Sequence, residues 1–171
     1  MPRPEATEYA PFFAGYIDLV PEADVMPAMA AQLDEVLAFL RDVSEAQSAV
    51  VHPPYTWTLK EVVGHVTDGE RVFGYRALRF GRADATPLAA FDENTFARAA
   101  DFNRLSLADV VGEWEAARRS NLWLFRNLPA AAWARSGPAG GNPVSVRALA
   151  YIIVGHARHH LAILRKRLAA G

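Results

Sequence analysis

The stretch Thr58-Leu59-Lys60-Glu61-Val62-Val63-Gly64-His65 marks the start of a long helix near the middle of the chain. Thr58 is followed three residues later by Glu61, directly before an apolar run. This is the pattern of a capping box, in which each side chain binds the backbone amide of the other residue. Apolar residues continue at helical spacing beyond it, so the sequence predicts a helix that extends to about Phe80.

Three more helices are predicted on either side of this one. Helix one is expected over about 25–43, where apolar residues recur at helical spacing: Met29, Leu33, Val36, Leu37 and Leu40. Helix three begins after Ser106, a typical N-cap residue, and ends at about Leu128, before Pro129. Helix four begins after Ser145 and extends to about Leu168.

The segments between these helices carry no pattern typical of a strand. Residues 1–22 contain four prolines and are predicted to form an irregular arm. The connection 81–105, with room for one short helical turn, is much longer than an antiparallel helix pair needs. It could cross the bundle and make helices two and three parallel. The sequence thus predicts an all-α fold, with 1–171 as a single domain built as a four-helix bundle.

Composition excludes several classes of function. The 18 basic and 19 acidic residues give a formal net charge of -1, which lacks the basic field that nucleic acid or an anionic membrane requires. The first five residues show no signal-peptide pattern, and the apolar run 148–155 is too short to span a bilayer. We therefore expect a cytoplasmic protein that binds neither nucleic acid nor membrane.

The histidines carry the clearest chemical pattern. His156 and His160 are four residues apart in helix four, so they lie on one face and can both reach one cation. His159 is turned away from that face by about 100°. The zinc-protease motif requires Glu directly after its first histidine, and Ala157 occupies that position. The pair alone is a weak signal, since two histidines can fall at this spacing by chance.

His65 makes a metal site a reasonable interpretation. It lies on an apolar stripe of helix two, where an imidazole needs either a metal or a hydrogen-bond partner such as a carbonyl or carboxylate. If it faces His156 and His160, three nitrogens could hold one divalent ion and leave coordination positions open. No cysteine is present, so thiolate ligands are excluded. Zinc and nickel both suit imidazole, while His52 is expected to be solvated.

At these residues the chain resembles the DinB/YfiT-like superfamily of metal-dependent enzymes. The resemblance is carried by the segments Trp57 to His65, Asp68 to Phe73, Phe91 to Asn94, Val146 to Tyr151 and Gly155 to His160. It extends from about Tyr16 to the end of helix four. The order and spacing of the segments make it more specific than any single motif.

The resemblance implies a fold, a site and an assembly. It implies a four-helix bundle with a crossing connection, and one nickel or zinc ion held by His65, His156 and His160. It also implies a homodimer and a small-molecule substrate, without DNA binding. Some relatives transfer groups to a low-molecular-weight thiol or isomerise maleylpyruvate with one, and others are described as hydrolases, so the fold and site carry over better than the reaction.

Three acidic residues near the predicted site each have two interpretations. Asp68 could orient His65 as a hydrogen-bond partner, or it could form a surface ion pair with Arg71. Asp92 and Glu93 could approach the metal or act as a general base, and the simpler interpretation is that they cap a short helix. The sequence does not assign a catalytic residue.

Basic and aromatic residues around helix two also allow more than one interpretation. Four arginines lie toward its end: Arg71, Arg76, Arg79 and Arg82. They could favour the negative end of the helix or meet an anionic substrate. Trp57, directly before the cap, is interpreted as a hydrophobic anchor for the start of the helix.

Two functions of different class fit these observations. In the first, the chain is a metal-dependent enzyme whose site activates water or a low-molecular-weight thiol for hydrolysis or S-transfer. Because the chain has no cysteine, a thiol would have to be a cosubstrate. In the second, it is a non-catalytic metal- or ligand-binding protein of a stress response. An open cavity above the metal would favour the enzyme.

A homodimer is the expected assembly. Hydrophobic residues make up 51% of the chain, somewhat above the roughly 45–50% usual for soluble chains. Surplus apolar surface commonly marks a partner site, and twofold dimers are the commonest assembly. Trp114, Trp123 and Phe125 are candidates for core or dimer contacts.

Overall fold

The computed structural model describes residues 2–169, and most of that range is helical. Its α-helices are α1 (Ala14–Asp18), α2 (Val25–Arg41), α3 (Glu45–Ser48), α4 (Leu59–Gly81), α5 (Glu93–Ala100), α6 (Leu107–Arg126) and α7 (Val146–Ala169). Two short strands, β1 (Ser136–Ala139) and β2 (Asn142–Ser145), precede α7. Within 2–169, no helix is long and apolar enough to cross a membrane.

The four long helices confirm the predicted bundle, with α2, α4, α6 and α7 close to the expected bounds. The capping box at the start of α4 is formed, since the Thr58 amide donates to Glu61 at 2.7 Å and the Glu61 amide donates to Thr58 at 3.2 Å. Ser106 accepts from the Asp109 amide at the start of α6. Ser145 accepts from the Ala148 amide at the start of α7.

The strands are a correction to the all-α prediction. β1 and β2 form an antiparallel hairpin whose two turn residues, Gly140 and Gly141, have φ of 59° and 80°. Positive φ at both positions is typical of the type I′ turn that joins hairpin strands. Pro138 lies opposite Pro143. Hydrogen-bonded and non-hydrogen-bonded pairs alternate along an antiparallel hairpin, and the turn-closing pair of Ala139 and Asn142 is the hydrogen-bonded one. The proline pair is therefore a non-hydrogen-bonded pair, which needs no backbone N–H. The prolines therefore make the strands hard to recognise in the sequence, although they are compatible with the hairpin.

Two other segments are more regular than predicted. The connection between α4 and α6 contains the eight-residue helix α5 and a 3₁₀ turn at Phe102–Arg104, where one short turn was expected. Asp92 starts α5 by accepting from the Thr95 amide at 2.6 Å. The predicted irregular arm 1–22 contains α1 and two 3₁₀ turns, because a proline at the start of a turn loses no hydrogen bond.

The core lies between the four long helices, and α4 contacts both α6 and α7 along much of its length. Residues met successively along α4 contact residues that also follow one another in chain order along α6. Lys60 donates to the Leu105 carbonyl just before α6, Glu70 pairs with Arg118, and a Cβ at Gly74 would meet Asn121. Against α7 the order is reversed, since His65 lies near His160 and Gly69 near His156.

A buried polar network connects all four long helices. Arg118 of α6 is fully buried and donates through Nε to Glu70 of α4 at 2.7 Å, and through Nη1 to Gln32 of α2 at 2.6 Å. Asn121 donates to the other Glu70 oxygen at 2.7 Å. Gln32 in turn donates to the Val154 carbonyl of α7 at 3.0 Å. Each charge in the network is therefore hydrogen-bonded, as burial requires.

Candidate metal centre

Three histidines from two helices meet at the centre of the bundle. His65 projects from α4, and His156 and His160 project from successive turns of α7. One ring nitrogen from each lies within 4.8 Å of the others, and the Nε2 atoms of His65 and His156 are 2.9 Å apart. The three ring centroids are 4.7–4.8 Å from one another. The structure thus brings together the three residues predicted as ligands.

Glycines allow this close approach. A Cβ at Gly69 would lie 2.9 Å from Cε1 of the His156 ring, so only glycine leaves that ring in place. Gly69 is one turn after His65 on the same face of α4. On α7, a Cβ at Gly155 would lie 1.9 Å from the Tyr16 carbonyl oxygen. Glycine at this position therefore lets α1 pack against α7 directly before His156. Tyr16 then contacts His156, with 5.3 Å between ring centroids.

The histidine rings have few polar partners within the described residues. Nε2 of His160 is buried and has no hydrogen-bond partner there. Burial lowers the pKa of His160 to about 3, aided by the neighbouring charges of His65 and His159. Burial also lowers the pKa of His156 well below its usual value, and that of His65 less strongly, with Glu93 opposing the shift at His65. These are rings held in the neutral form, which is the form that binds metal.

The donor set fits a divalent first-row ion. Two nitrogens bound to zinc at 2.0–2.1 Å with a tetrahedral angle lie about 3.3 Å apart, and the 2.9 Å separation and the 4.8 Å limit enclose this value. Small rotations of the rings would therefore suffice for binding. The unpartnered Nε2 of His160 is also accounted for by a ligand role, because a buried polar atom otherwise loses a hydrogen bond.

A cavity of about 440 Å³ opens beside the three histidines. Much of its wall is aromatic, from the arm, the loop before α4, α4 itself and the connection that follows: Phe12, Phe13, Tyr16, Trp57, Phe73 and Phe91. Its polar side chains outside the histidines and Tyr16 are Arg76, Glu93, Asn94 and Asn142. The β1–β2 hairpin supplies part of one wall, so the strands that the sequence did not predict help to shape the site.

The remaining histidines lie outside the cluster. His159 is exposed and packs edge-on against Tyr16 and His160, which agrees with its predicted direction. His52 is half-buried, with Nδ1 3.5 Å from Nη2 of Arg167, so it is less solvated than predicted.

The three acidic residues near the site have different roles in the structure. Asp68 has no hydrogen bond to His65 among the described residues; burial raises its pKa, while Arg71 lowers it and Glu113 raises it further. Arg71 itself pairs with Glu113 at 2.7 Å. Asp92 caps α5, as the simpler interpretation proposed. Glu93, in contrast, lines the cavity, and its charge contributes to the pKa values of both His65 and Tyr16.

Trp57 does more than anchor the helix. Its ring lies 5.2 Å from that of His65 and forms part of the cavity wall. Tyr16, Phe73 and Gly69 also shape the site but were not singled out from the sequence. The position of Gly69, four residues after His65, was the one available signal, because residues at this spacing share a helix face.

The sequence model of the DinB superfamily matches residues 28–164, a range that includes the three histidines. The chain belongs to the DinB superfamily. No curated protein matches its sequence. Among solved structures, this DinB-superfamily chain is similar to YfiT from Bacillus subtilis, with a TM-score of 0.70 and 16% identity, over 97% of this chain and 93% of that one. YfiT is described as a probable metal-dependent hydrolase with an unusual four-helix bundle topology, and at this identity the likeness shows the fold.

Proposed function

We propose that the chain is a metal-dependent enzyme in which His65, His156 and His160 hold one divalent ion, zinc or nickel. The reaction is hydrolysis, or transfer to a low-molecular-weight thiol, on a small-molecule substrate that enters the cavity. The observation that carries the proposal is the meeting of three ring nitrogens within 4.8 Å of one another beside an open cavity. Three protein nitrogens leave a coordination position open, as catalytic zinc sites do.

The bound ion would act as a Lewis acid and would make water or a thiol easier to deprotonate. Glu93 is the carboxylate of the cavity wall, so we assign it the role of accepting the proton from the attacking water or thiol. A general base needs to reach the proton that it removes, directly or through one water. Glu93 lies at the start of α5 and lines the same cavity as the three histidines.

The aromatic wall has a separate role in this proposal. Trp57, Tyr16 and Phe73 surround the histidines with ring faces and edges. They exclude bulk water from much of the site, which strengthens the electrostatic interactions within it. They also offer an apolar surface to the body of the substrate.

The cavity favours an enzyme over a non-catalytic metal carrier. A structural site is usually closed by a full set of protein ligands, whereas this cluster borders a cavity of about 440 Å³ that is also lined by the carboxylate of Glu93. Because the chain has no cysteine, a thiol in the reaction would be a cosubstrate that enters this cavity.

Elemental analysis together with activity assays tests this proposal. Protein purified after growth with added zinc and nickel is expected to carry close to one ion per chain. Ester and amide hydrolysis, and transfer of an electrophile to a low-molecular-weight thiol, would then be assayed before and after chelation. We expect one of these activities to disappear with the ion and return with it. A protein that takes up neither ion, or an activity unaffected by chelation, would contradict the proposal.

We also infer that the connection between α4 and α6 crosses the length of the bundle. The supporting observation is the shared order of their contacts, from Lys60 with Leu105 to Glu70 with Arg118. Two helices that meet in the same order run parallel, so the chain must return along the bundle between them. The presence of Glu93, from this connection, in the wall of the cavity beside the histidines agrees with such a return.

A further inference from the structure

Arg76 is the cationic side chain of the cavity wall. It lies on α4 and is only 6% exposed. Its Nη2 donates to the Ala89 carbonyl at 2.8 Å, and its guanidinium carbon lies 6.0 Å from the centre of the Phe73 ring and 5.8 Å from that of Phe91. Two aromatic faces and one carbonyl therefore hold this charge at the cavity.

No carboxylate neutralises Arg76 within residues 2–169. Glu93 lines the same cavity but forms no ion pair with it, and burial alone accounts for the lowered pKa of Arg76. The neighbouring arginines of α4 differ, because Arg71 pairs with Glu113 and Arg79 with Asp84. Arg82, at the end of the helix, is exposed.

A buried cation without a counter-charge is costly. The cost of removing a charge from water is only partly offset by cation–π contacts. Such a charge is retained where a ligand supplies the missing anion, since a guanidinium binds a carboxylate through two parallel hydrogen bonds. The position of Arg76 at the cavity wall makes a ligand the natural source of that anion.

Arg76 shares a helix face with the metal cluster. It follows His65 by eleven residues, which is close to three full turns, so both project from the same side of α4 about 16 Å apart along the axis. Phe73 lies between them and lines the cavity. Helical side chains lean toward the N-terminus, which brings the guanidinium nearer to the histidines. The cavity thus has a cationic end, an aromatic middle and a histidine end.

We infer that the substrate is a carboxylate with an apolar or aromatic body, whose carboxylate binds Arg76 while its reacting group lies at the histidines. The inference rests on the proposed function for the assignment of the histidine end as the reactive end. A carboxylate fits better than a phosphate because the cavity offers one cation together with the acid Glu93. A phosphate dianion would require more positive charge than one arginine supplies.

Calorimetric binding of small probes tests the inference directly. The probes are 3-phenylpropionate, its neutral amide and phenyl phosphate, each titrated into the full-length protein as purified and after chelation. We expect 3-phenylpropionate to bind about tenfold or more tightly than the amide, from the charged hydrogen bonds that it gains. Equal affinity for the two, or tighter binding of phenyl phosphate, would overturn the inference.

Variants assign the preference to Arg76. In Arg76→Gln the carboxylate is expected to lose its advantage over the amide, while the control Arg82→Gln keeps it. Arg76→Lys retains the charge and is expected to keep part of the preference, which separates charge loss from misfolding. A preference that survives in a folded Arg76→Gln would overturn the assignment. Because the measurement on chelated protein needs no ion, failure of zinc or nickel binding would refute the proposed function and leave this result intact.

Discussion

At the scale of single residues, the close approach of the three histidines depends on a glycine. Gly69 lies directly under the His156 ring, and a Cβ there would come within 3.0 Å of Nδ1 and 2.9 Å of Cε1. A ring held between α4 and the Tyr16 ring has little room to turn. We therefore expect Gly69→Ala to displace the His156 nitrogen from the cluster.

The expected result is a fall in zinc affinity of about tenfold or more, the size seen when groups that orient metal ligands are removed. Gly112→Ala is the matched control, because a Cβ at that exposed position of α6 meets nothing within 4 Å. It should leave zinc affinity unchanged and stabilise the fold by about 0.5–1 kcal/mol through helix propensity. Unchanged zinc affinity in a folded Gly69→Ala protein would show that His156 is not held as described.

The sequence could predict which histidines come together but not their surroundings. The four-residue spacing of His156 and His160 and the apolar stripe around His65 sufficed for the three histidines. Arg76, by contrast, has the same sequence context as the other arginines at the end of α4. Only tertiary contacts separate it from Arg79, which pairs with Asp84, because Arg76 instead contacts Ala89 and Phe91 of the connection after α4.

At the scale of elements, the buried pair of Glu70 and Arg118 joins α4 to α6. Arg118→Met would leave Glu70 buried with only the Asn121 amide as a partner. Breaking a buried pair from one side costs about 3–5 kcal/mol, so we expect a loss of this size in the free energy of unfolding. Chemical denaturation measures it.

The adjacent arginine provides a control for this prediction. Arg119 forms an exposed pair with Glu115, four residues earlier on the same helix. Arg119→Met is expected to cost about 0–1 kcal/mol, as exposed pairs do. Similar losses in the two variants would mean that the buried network contributes no more than a surface pair.

The ion pair of Glu22 with Arg158 attaches the segment after α1 to α7. Hydrogen bonds from Arg158 lower the pKa of Glu22 from 4.5 to about 2. A carboxylate with a lowered folded pKa stabilises the fold above its unfolded pKa, and this contribution is lost as the pH falls through the folded pKa. The stabilisation should therefore be complete at pH 6 and mostly lost by pH 2.

Glu22→Gln measures that contribution. Since the pair is partly exposed, we expect wild type to exceed the variant by about 1 kcal/mol or less at pH 6, with the difference approaching zero by pH 2. Unfolding followed by circular dichroism at several pH values checks this. A difference that stays constant down to pH 2 would rule out the ion pair as its source.

Some elements could be predicted from sequence and others could not, for identifiable reasons. The four long helices carry both an apolar period and a cap, as at Thr58 and Ser106, so two local signals agree. The β1–β2 hairpin has only four residues in each strand and a proline in each. Its main signal was the Gly140-Gly141 turn, which is also typical of an ordinary loop.

At the scale of the whole molecule, we expect a homodimer formed through α4 and α6. Tyr75, Leu78 and Leu124 line a groove between these helices. Trp123, next to Leu124 in the chain, is 61% exposed, which is unusual for so large an apolar side chain. Its burial against a second copy would account for the exposure.

Light scattering at micromolar concentration checks the assembly. Wild type should have a mass near 37.4 kDa, twice the 18.7 kDa of one chain. Trp123→Glu should have a mass near 18.7 kDa. The control Phe12→Ser, at a phenyl ring that lines the cavity and is even more exposed than Trp123, should remain dimeric. A wild-type mass of 18.7 kDa at all concentrations would remove the dimer from the account.

Calorimetric titration of zinc into chelated protein tests most directly whether one divalent ion binds through His65, His156 and His160. Wild type should bind one ion per chain. His160→Ala should weaken binding by more than about 100-fold, because a direct ligand contributes more than the orienting groups whose loss costs 10–100-fold. His159→Ala, one residue away but exposed, should bind as wild type does. Zinc binding lost in His159→Ala and retained in His160→Ala, or absent from wild type, would contradict the account.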